Sequence, residues 1–304
     1  MGWHVVVVIL DDPHLQQVTR GTVPAWLLLS LASMLLVGTA DLLFRRATLS
    51  RFKPASFMVL HSWFFGPTAF AWAVATGSLQ WNRASLWGLV AGALTFVSSY
   101  SFLRSLQAPS SQVSVNAPIY RLNLVVTAIL AIAFLGEKIT WAKVAGLLLV
   151  GTAVLLLSGT SLRTVRARPG GLGWALLAMA AFGLIHLLYK IAVMLGAPPS
   201  LLIFGQFCSF TVIAFCYATW VEGGLRLTRA IWTHAPICGV LNASGRILLA
   251  WALQSGEAST AVPISQMSFV FTFLLAAPLF REPVTGRKAA GLLAAVLAVL
   301  AFYR

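Results

Sequence analysis

Residues 136–157 read GEKITWAKVAGLLLVGTAVLLL, and residues 281–302 read REPVTGRKAAGLLAAVLAVLAF. The two stretches lie 145 residues apart, and that offset sets Glu137 against Glu282, Thr140 against Thr285, Lys143 against Lys288 and Gly146 against Gly291. The same shift pairs Gly38 with Gly183, Pro54 with Pro199, Trp87 with Trp232 and Pro118 with Pro263. It also brings LLFR, ending at Arg45, onto LLYK, ending at Lys190. One offset that serves the whole chain marks an internal repeat.

Around these stretches the chain is a succession of apolar runs, at 24–44, 55–76, 85–105, 113–135, 142–160, 172–194, 200–221, 231–253, 259–280 and 286–303. Each is close to the roughly 20 residues that a helix needs to cross a bilayer. The separators carry the breakers and charges, as in RRATLSRFKP, QAPSSQ, RTVRARPGG, LGAPPS and FREPVTGR. Composition agrees. Of 304 residues 59% are hydrophobic and 9% charged, with mean hydropathy +0.88, whereas soluble domains carry roughly a quarter charged residues. A water-soluble protein is excluded. Ten spans of that length leave connections of only about 8 to 9 residues, too short for an inserted nucleotide-binding domain.

Five spans per copy is an odd number, so the second copy crosses the membrane in the opposite sense to the first. The expected fold is all-α integral membrane, with ten transmembrane helices as two inverted-topology five-helix repeats. Residues 1–23 form an N-terminal tail, 24–160 the first repeat, 161–171 a basic linker and 172–303 the second repeat. The tail has no basic segment before its short apolar run and no small-residue cleavage site after it, so it does not read as a signal peptide.

The net charge of +14 does not point to nucleic acid, because the basic residues are scattered between apolar runs. Loops after odd-numbered spans hold thirteen Lys and Arg, and the opposite side with both termini holds six. That bias predicts cytoplasmic odd loops and extracytoplasmic termini. Arg outnumbers Lys 16 to 5, which suggests a GC-rich bacterial genome and hence a plasma membrane. Cys208, Cys216 and Cys238 all fall in apolar runs, as small hydrophobes do. HExxH, P-loop and GxSxG patterns are missing, and no carboxylates cluster for a metal. The reading is therefore no enzyme, no cofactor and no metal.

The paired segments resemble the closing helices of the EamA domain of the drug/metabolite transporter (DMT) superfamily: each has a proline-bearing apolar helix, a Gly-Glu or Arg-Glu step, a Thr-headed turn and a Gly-rich helix. The likeness covers about residues 24–303. It implies a ten-helix carrier with a central pocket, in which the last helix of each repeat is peripheral, acting on amino acids, metabolites or nucleotide sugars. It also implies cytoplasmic termini, against the charge bias.

Ionisable groups inside spans mark function or helix-helix contacts, since each costs several kcal/mol unless it faces a partner or water. Span 4 carries Asn116, Tyr120, Asn123 and Thr127 at spacings that line one face, with Arg121 beside them. In span 8 Asn242 and Arg246 stand one turn apart. A guanidinium grips carboxylate or phosphate with two prongs, so Arg121 and Arg246 are the leading contacts for an anionic or zwitterionic substrate. The competing reading for either arginine is an internal structural partner such as Asp41 or backbone carbonyl groups, and for Asp41 it is an ion pair with Arg45, four residues on. The offset pairs Asp41 with His186, His61 with Gln206, Arg121 with Gln266 and Ser101 with Arg246, polar in both copies, which favours inward-facing positions. The expected substrate set is Arg121, Arg246, Asn116, Tyr120, Asn123, Asn242, Gln266 and Ser101. Asp41, His61 and His186 are the candidates for proton or ion coupling.

Pro118 and Pro263 loosen spans 4 and 9 at equivalent sites and are expected hinges. Glu137 and Glu282 read as structural acids at positive helix ends, Thr140 and Thr285 as N-caps, and GLVAG at 88–92 as a packing face within the monomer. The whole predicts a secondary transporter or exporter of an amino acid, amine or organic anion, by alternating access through a pocket lined by spans 1, 3, 4, 6, 8 and 9. Its partners are a small-molecule substrate and the lipid bilayer, with no nucleic acid, and it is a monomer or weak homodimer. The alternatives are a flippase for a lipid-linked small group and, more distantly, a membrane-embedded enzyme.

Overall fold

The computed structural model describes residues 23–48, 53–108, 113–158, 170–279 and 285–303. The tail at 1–22, most of the basic linker, and Glu282 lie outside the described residues. In the described chain every regular element is a helix: α1 (Ala25–Thr48), α2 (Pro54–Ala75), α3 (Trp87–Gln107), α4 (Val113–Arg121), α5 (Asn123–Leu135), α6 (Trp141–Ser158), α7 (Leu172–Met194), α8 (Pro199–Trp220), α9 (Arg229–Ser255), α10 (Ala258–Gln266), α11 (Ser268–Leu279) and α12 (Gly286–Tyr303). A 3₁₀ turn at Arg83–Leu86 leads into α3. Helices are what an apolar solvent dictates, because they satisfy every backbone polar group within one segment.

Among the described residues ten segments are long and apolar enough to cross a membrane, with α4 and α5 making the fourth and α10 and α11 the ninth. The chain is a multi-pass membrane protein. Its ends are marked locally: Pro54 and Pro199 open α2 and α8 at the first helical turn, and Gly136, at φ 66°, closes α5 in the left-handed region. Trp141 and Trp220, at span ends, are 89% and 84% exposed, as interfacial tryptophans should be.

Packing follows the sequence offset. Helix α1 packs on α9, and its counterpart α7 packs on α3; α2 packs on α9, and α8 on α3. Likewise α11 and α10 pack on α1, as α5 and α4 do on α7. Two further contacts join an element to its own counterpart, α2 to α8 and α6 to α12. Each of these contacts has a mate under a pseudo-two-fold, the geometry of two inverted five-helix repeats. Small residues permit the closest crossing: a Cβ on Gly92 would meet Ser209 Oγ at 2.0 Å and Gln206 O at 2.2 Å, so α3 rests on α8 along the GLVAG face.

The breaks in spans 4 and 9 fall at Leu122 and Met267, also 145 residues apart, one turn beyond the prolines. There the chain tightens into i→i−3 bonds, Val125 N to Leu122 O at 2.9 Å and Val270 N to Met267 O at 2.8 Å. Proline removes one bond from the short helix before the break.

Candidate functional site

A cavity of about 880 Å³ lies between the repeats, within the range of small-molecule sites. All ten spans reach it. The sequence reading assigned it to spans 1, 3, 4, 6, 8 and 9, but Phe57, His61 and Phe65 of α2 and Gln206, Phe207 and Phe210 of α8 form much of its wall. Those two spans are so apolar that only His61 and Gln206 marked them. The mouth is ringed by Phe44, Leu106 and Ser158, at the carboxyl ends of spans 1, 3 and 5, and by Pro54 and Lys288, near the starts of spans 2 and 10. Among the described residues the cavity therefore opens on the side of the odd-numbered loops.

On the opposite side the repeats are latched. Glu137, just past α5, accepts from the backbone N–H groups of Ala258 and Ser259 at 2.6 and 2.8 Å. It caps α10, in the other repeat, rather than the helix that follows it in sequence. Lys143 Nζ pairs with Glu257 at 2.5 Å, again across the repeats, and within the second repeat Lys190 Nζ donates to the carbonyls of Leu253 and Gly256 at 2.7 and 2.9 Å. Thr140 caps α6 through Lys143 N at 3.3 Å.

Inside the cavity the two arginines differ. Arg121, at the end of α4, donates from Nη2 to Asp41 Oδ2 at 2.8 Å and from Nη1 to Ser268 Oγ at 3.2 Å. Ser268 donates in turn to the same carboxylate oxygen at 3.0 Å. This triad ties the break in span 4 to α1 and to the first residue of α11, and its guanidinium is already neutralised. Arg246 of α9 donates from Nη1 to Tyr189 Oη at 3.2 Å, and its guanidinium carbon sits 5.4 Å from the Phe182 ring centroid. Among the described residues the ion pairs are Arg121–Asp41 and Lys143–Glu257, so no described carboxylate pairs with Arg246.

A polar chain leads from Arg246 across the wall. Tyr189 Oη donates to Gln206 Oε1, and Gln206 Nε2 donates to Thr95 Oγ1 at 2.6 Å. Asn242 Nδ2 donates to His61 Nε2 at 3.3 Å, and the His61 ring lies between Phe57 and Phe65. Opposite, Tyr120 stacks on Phe102 at 4.4 Å and leans on Phe182 at 5.5 Å. The result, among the described residues, is one guanidinium without an acid, set in an aromatic wall.

Of the sequence-selected residues, Asp41, His61, Pro118, Tyr120, Arg121, Asn242, Arg246 and Gln266 line the cavity. Asn116, Ser101, Asn123, His186 and Pro263 do not. Asn116 Nδ2 holds the carbonyls of Ser105 and Gly170 at 2.8 and 3.1 Å, tying α3 to the start of α7. Asn123 Nδ2 donates to Tyr120 O at 2.8 Å across the helix break, and Thr127 donates to Gly183 O of α7 at 3.1 Å. The polar stripe of span 4 thus faces a neighbouring helix, and of the span's polar residues named above Tyr120 and Arg121 are the ones that line the cavity. His186 is buried and accepts from Gln266 Nε2 at 3.2 Å; Ser101 is buried in α3 and Pro263 in α10. The sequence reading did not single out Tyr189, Phe182, Thr95 or Ser268. Only Tyr189 carried a signal, as part of the repeated LLYK.

A ten-span inverted repeat with a one-sided polar and aromatic cavity at the repeat interface defines the class of membrane transport proteins. The EamA-like transporter family matches the chain twice, over residues 24–159 and 169–304, and the chain belongs to that family, within the DMT superfamily. No curated protein matches it. It is similar in fold to a solved crystal structure described only as that of a protein, with a TM-score of 0.75 over 92% of this chain and 98% of the other, at 14% identity.

Proposed function

We propose that this chain is a secondary transporter of a small organic anion or zwitterion with an apolar or aromatic body, working by alternating access. One observation carries the reading: Arg246 presents a guanidinium to the cavity with Tyr189 and Phe182 beside it and no described carboxylate to neutralise it. A bare charge in such a place costs free energy unless a ligand completes it. A substrate carboxylate or phosphate would supply two charge-assisted bonds, and the rings of Phe182, Tyr120 and Phe102 would cover its body. Arg121, held by Asp41, acts as a positioning residue at the helix break. Asp41 is the acid whose protonation would free Arg121, which makes it the first candidate for proton coupling.

On the charge bias of the loops the open side is cytoplasmic and the termini are outside; the chain sits as a monomer or weak homodimer in a plasma membrane, a bacterial one on its Arg-rich composition. A C-terminal reporter active only in the cytoplasm stays dark on that assignment.

The test of the substrate class is a melting-temperature screen of purified protein against organic acids, amino acids, amines, sugars and nucleotides, since a ligand that binds the folded state raises its melting point. Anions or zwitterions with an apolar body are expected to stabilise. Arg246→Met should weaken the best ligand by about 100-fold or more, from two lost bonds of roughly 1.5–3 kcal/mol each, without lowering the melting point of the unliganded protein. Stabilisation by amines alone, or unimpaired binding to R246M, refutes the assignment.

A further inference from the structure

A second pocket, of about 220 Å³, lies where the amino end of α2 meets the carboxyl ends of α3 and α8. These ends lie at the same membrane face as the mouth of the central cavity. Pro54, Met58 and Leu103 line both spaces, so they form the wall that separates them.

The pocket holds one charge of each sign, and the two do not neutralise each other. Arg104 is exposed; its Nε donates to Tyr100 Oη at 2.7 Å and its guanidinium lies 5.4 Å from that ring's centroid. No described acid forms an ion pair with it. Glu222 uses one carboxylate oxygen, Oε1, to accept from Ala55 N at 3.3 Å, while Lys53 Nζ donates to the Glu222 backbone carbonyl rather than to its carboxylate. The other oxygen, Oε2, is buried and has no hydrogen-bond partner. A buried carboxylate oxygen left bare is costly, and it lacks an N–H donor.

Between the two charges stand rings. Tyr100 and Tyr217 lie 5.0 Å apart, Phe96 stacks on Tyr100 at 6.0 Å, and Trp174 meets Tyr100 edge-on at 6.0 Å. Such a belt sits at head-group depth in a bilayer. A ligand that satisfies all of this carries a phosphate, a nearby N–H-bearing cation and an apolar tail in the membrane. We propose that this pocket binds the head group of an aminophospholipid, with its phosphate on Arg104 and its primary ammonium on Glu222. The assignment is independent of the transported substrate. A quaternary ammonium could rest on the tyrosine faces but has no N–H to give Glu222, and an anionic head group without an amine leaves that oxygen bare.

Native mass spectrometry of the detergent-purified full chain tests it, with phosphatidylethanolamine, phosphatidylcholine and phosphatidylglycerol of identical acyl chains, and with soluble glycerophosphoethanolamine as competitor. Phosphatidylethanolamine should be retained about tenfold over the other two. Arg104→Gln should lower retention of every phospholipid about tenfold. Glu222→Gln keeps the acceptor for Ala55 and should bring phosphatidylethanolamine down to the level of phosphatidylcholine. Should R104Q fail to fold, the E222Q comparison decides alone. Equal retention of all three lipids, stronger retention of phosphatidylcholine, or an unchanged preference in E222Q overturns the proposal. Displacement by the soluble head group at matched concentration would assign the site to a soluble ligand instead.

Discussion

Replacing Glu137 by Gln should unlatch the closed side of the protein. The carboxylate caps α10 through two backbone N–H groups, at 2.6 and 2.8 Å, and it joins the end of span 4 to the start of span 9. Glutamine is isosteric but neutral, and it can present only one oxygen. One charge-assisted bond is lost and the other becomes neutral, and charge-assisted bonds are roughly twice as strong as neutral ones. Loss of a helix cap costs about 1 kcal/mol, and loss of an anion at a helix amino end roughly 0.3–1 kcal/mol. On the proposed alternating-access mechanism, about 2 kcal/mol therefore disappears from the state that is open on the odd-loop side, which shifts a two-state equilibrium by about 30-fold toward the other. The assay is labelling by a membrane-impermeant maleimide at Ala258→Cys, in a background without the three native cysteines. Labelling from the latched side should rise steeply in E137Q, and anion binding to Arg246 should persist. Labelling within twofold of the Glu137 background refutes the latch.

Other expectations follow from the same geometry. Arg121→Met strands Asp41 with Ser268 alone and should cost about 2 kcal/mol in denaturant or thermal unfolding; adding Asp41→Asn should recover most of it, and failure to recover would show that the pair is not the partner set. Gly92→Ala drives a Cβ into Gln206 O and should destabilise by roughly 1–3 kcal/mol, read as lower melting temperature and yield. Asn116→Ala leaves the carbonyls of Ser105 and Gly170 without that donor and should cost about 1–3 kcal/mol, while ligand affinity, measured by titration, stays within twofold.

The fold was legible because the bilayer simplifies the code: apolar length gives spans, and an odd repeat of five gives their opposed senses. The paired glutamates and prolines were enough to align the halves. The site was legible only in part. Periodicity placed Asn116, Tyr120, Asn123 and Thr127 on one face of span 4, but an apolar environment rewards polar contacts to a neighbouring helix as much as contacts to a cavity. Three of the four went to α3, α7 or their own backbone. For Arg121 the internal partner Asp41 is the one observed, 80 positions away, a distance across which spacing says nothing. Phe182 and Tyr189 sit in apolar runs where an aromatic ring looks like any other lipid-compatible residue. Glu137 reads as an acid suited to a helix start, yet the helix it caps belongs to the other repeat. Only the folded chain brings the two together.

The contact of α6 with α12 has a consequence for how the molecule is held. A Cβ on Gly146 would meet the Phe302 ring, and one on Gly291 would meet Leu157; Leu157 and Phe302 are themselves related by the offset of 145. The interface is homotypic, each surface binding a copy of itself turned over, and the α2–α8 contact has the same character. A five-helix chain of this kind carries in its own sequence the surface needed to recognise an upside-down twin. The two halves, severed between residues 161 and 169 and made as separate polypeptides, should find each other in the membrane, which co-purification of one half through a tag on the other would show.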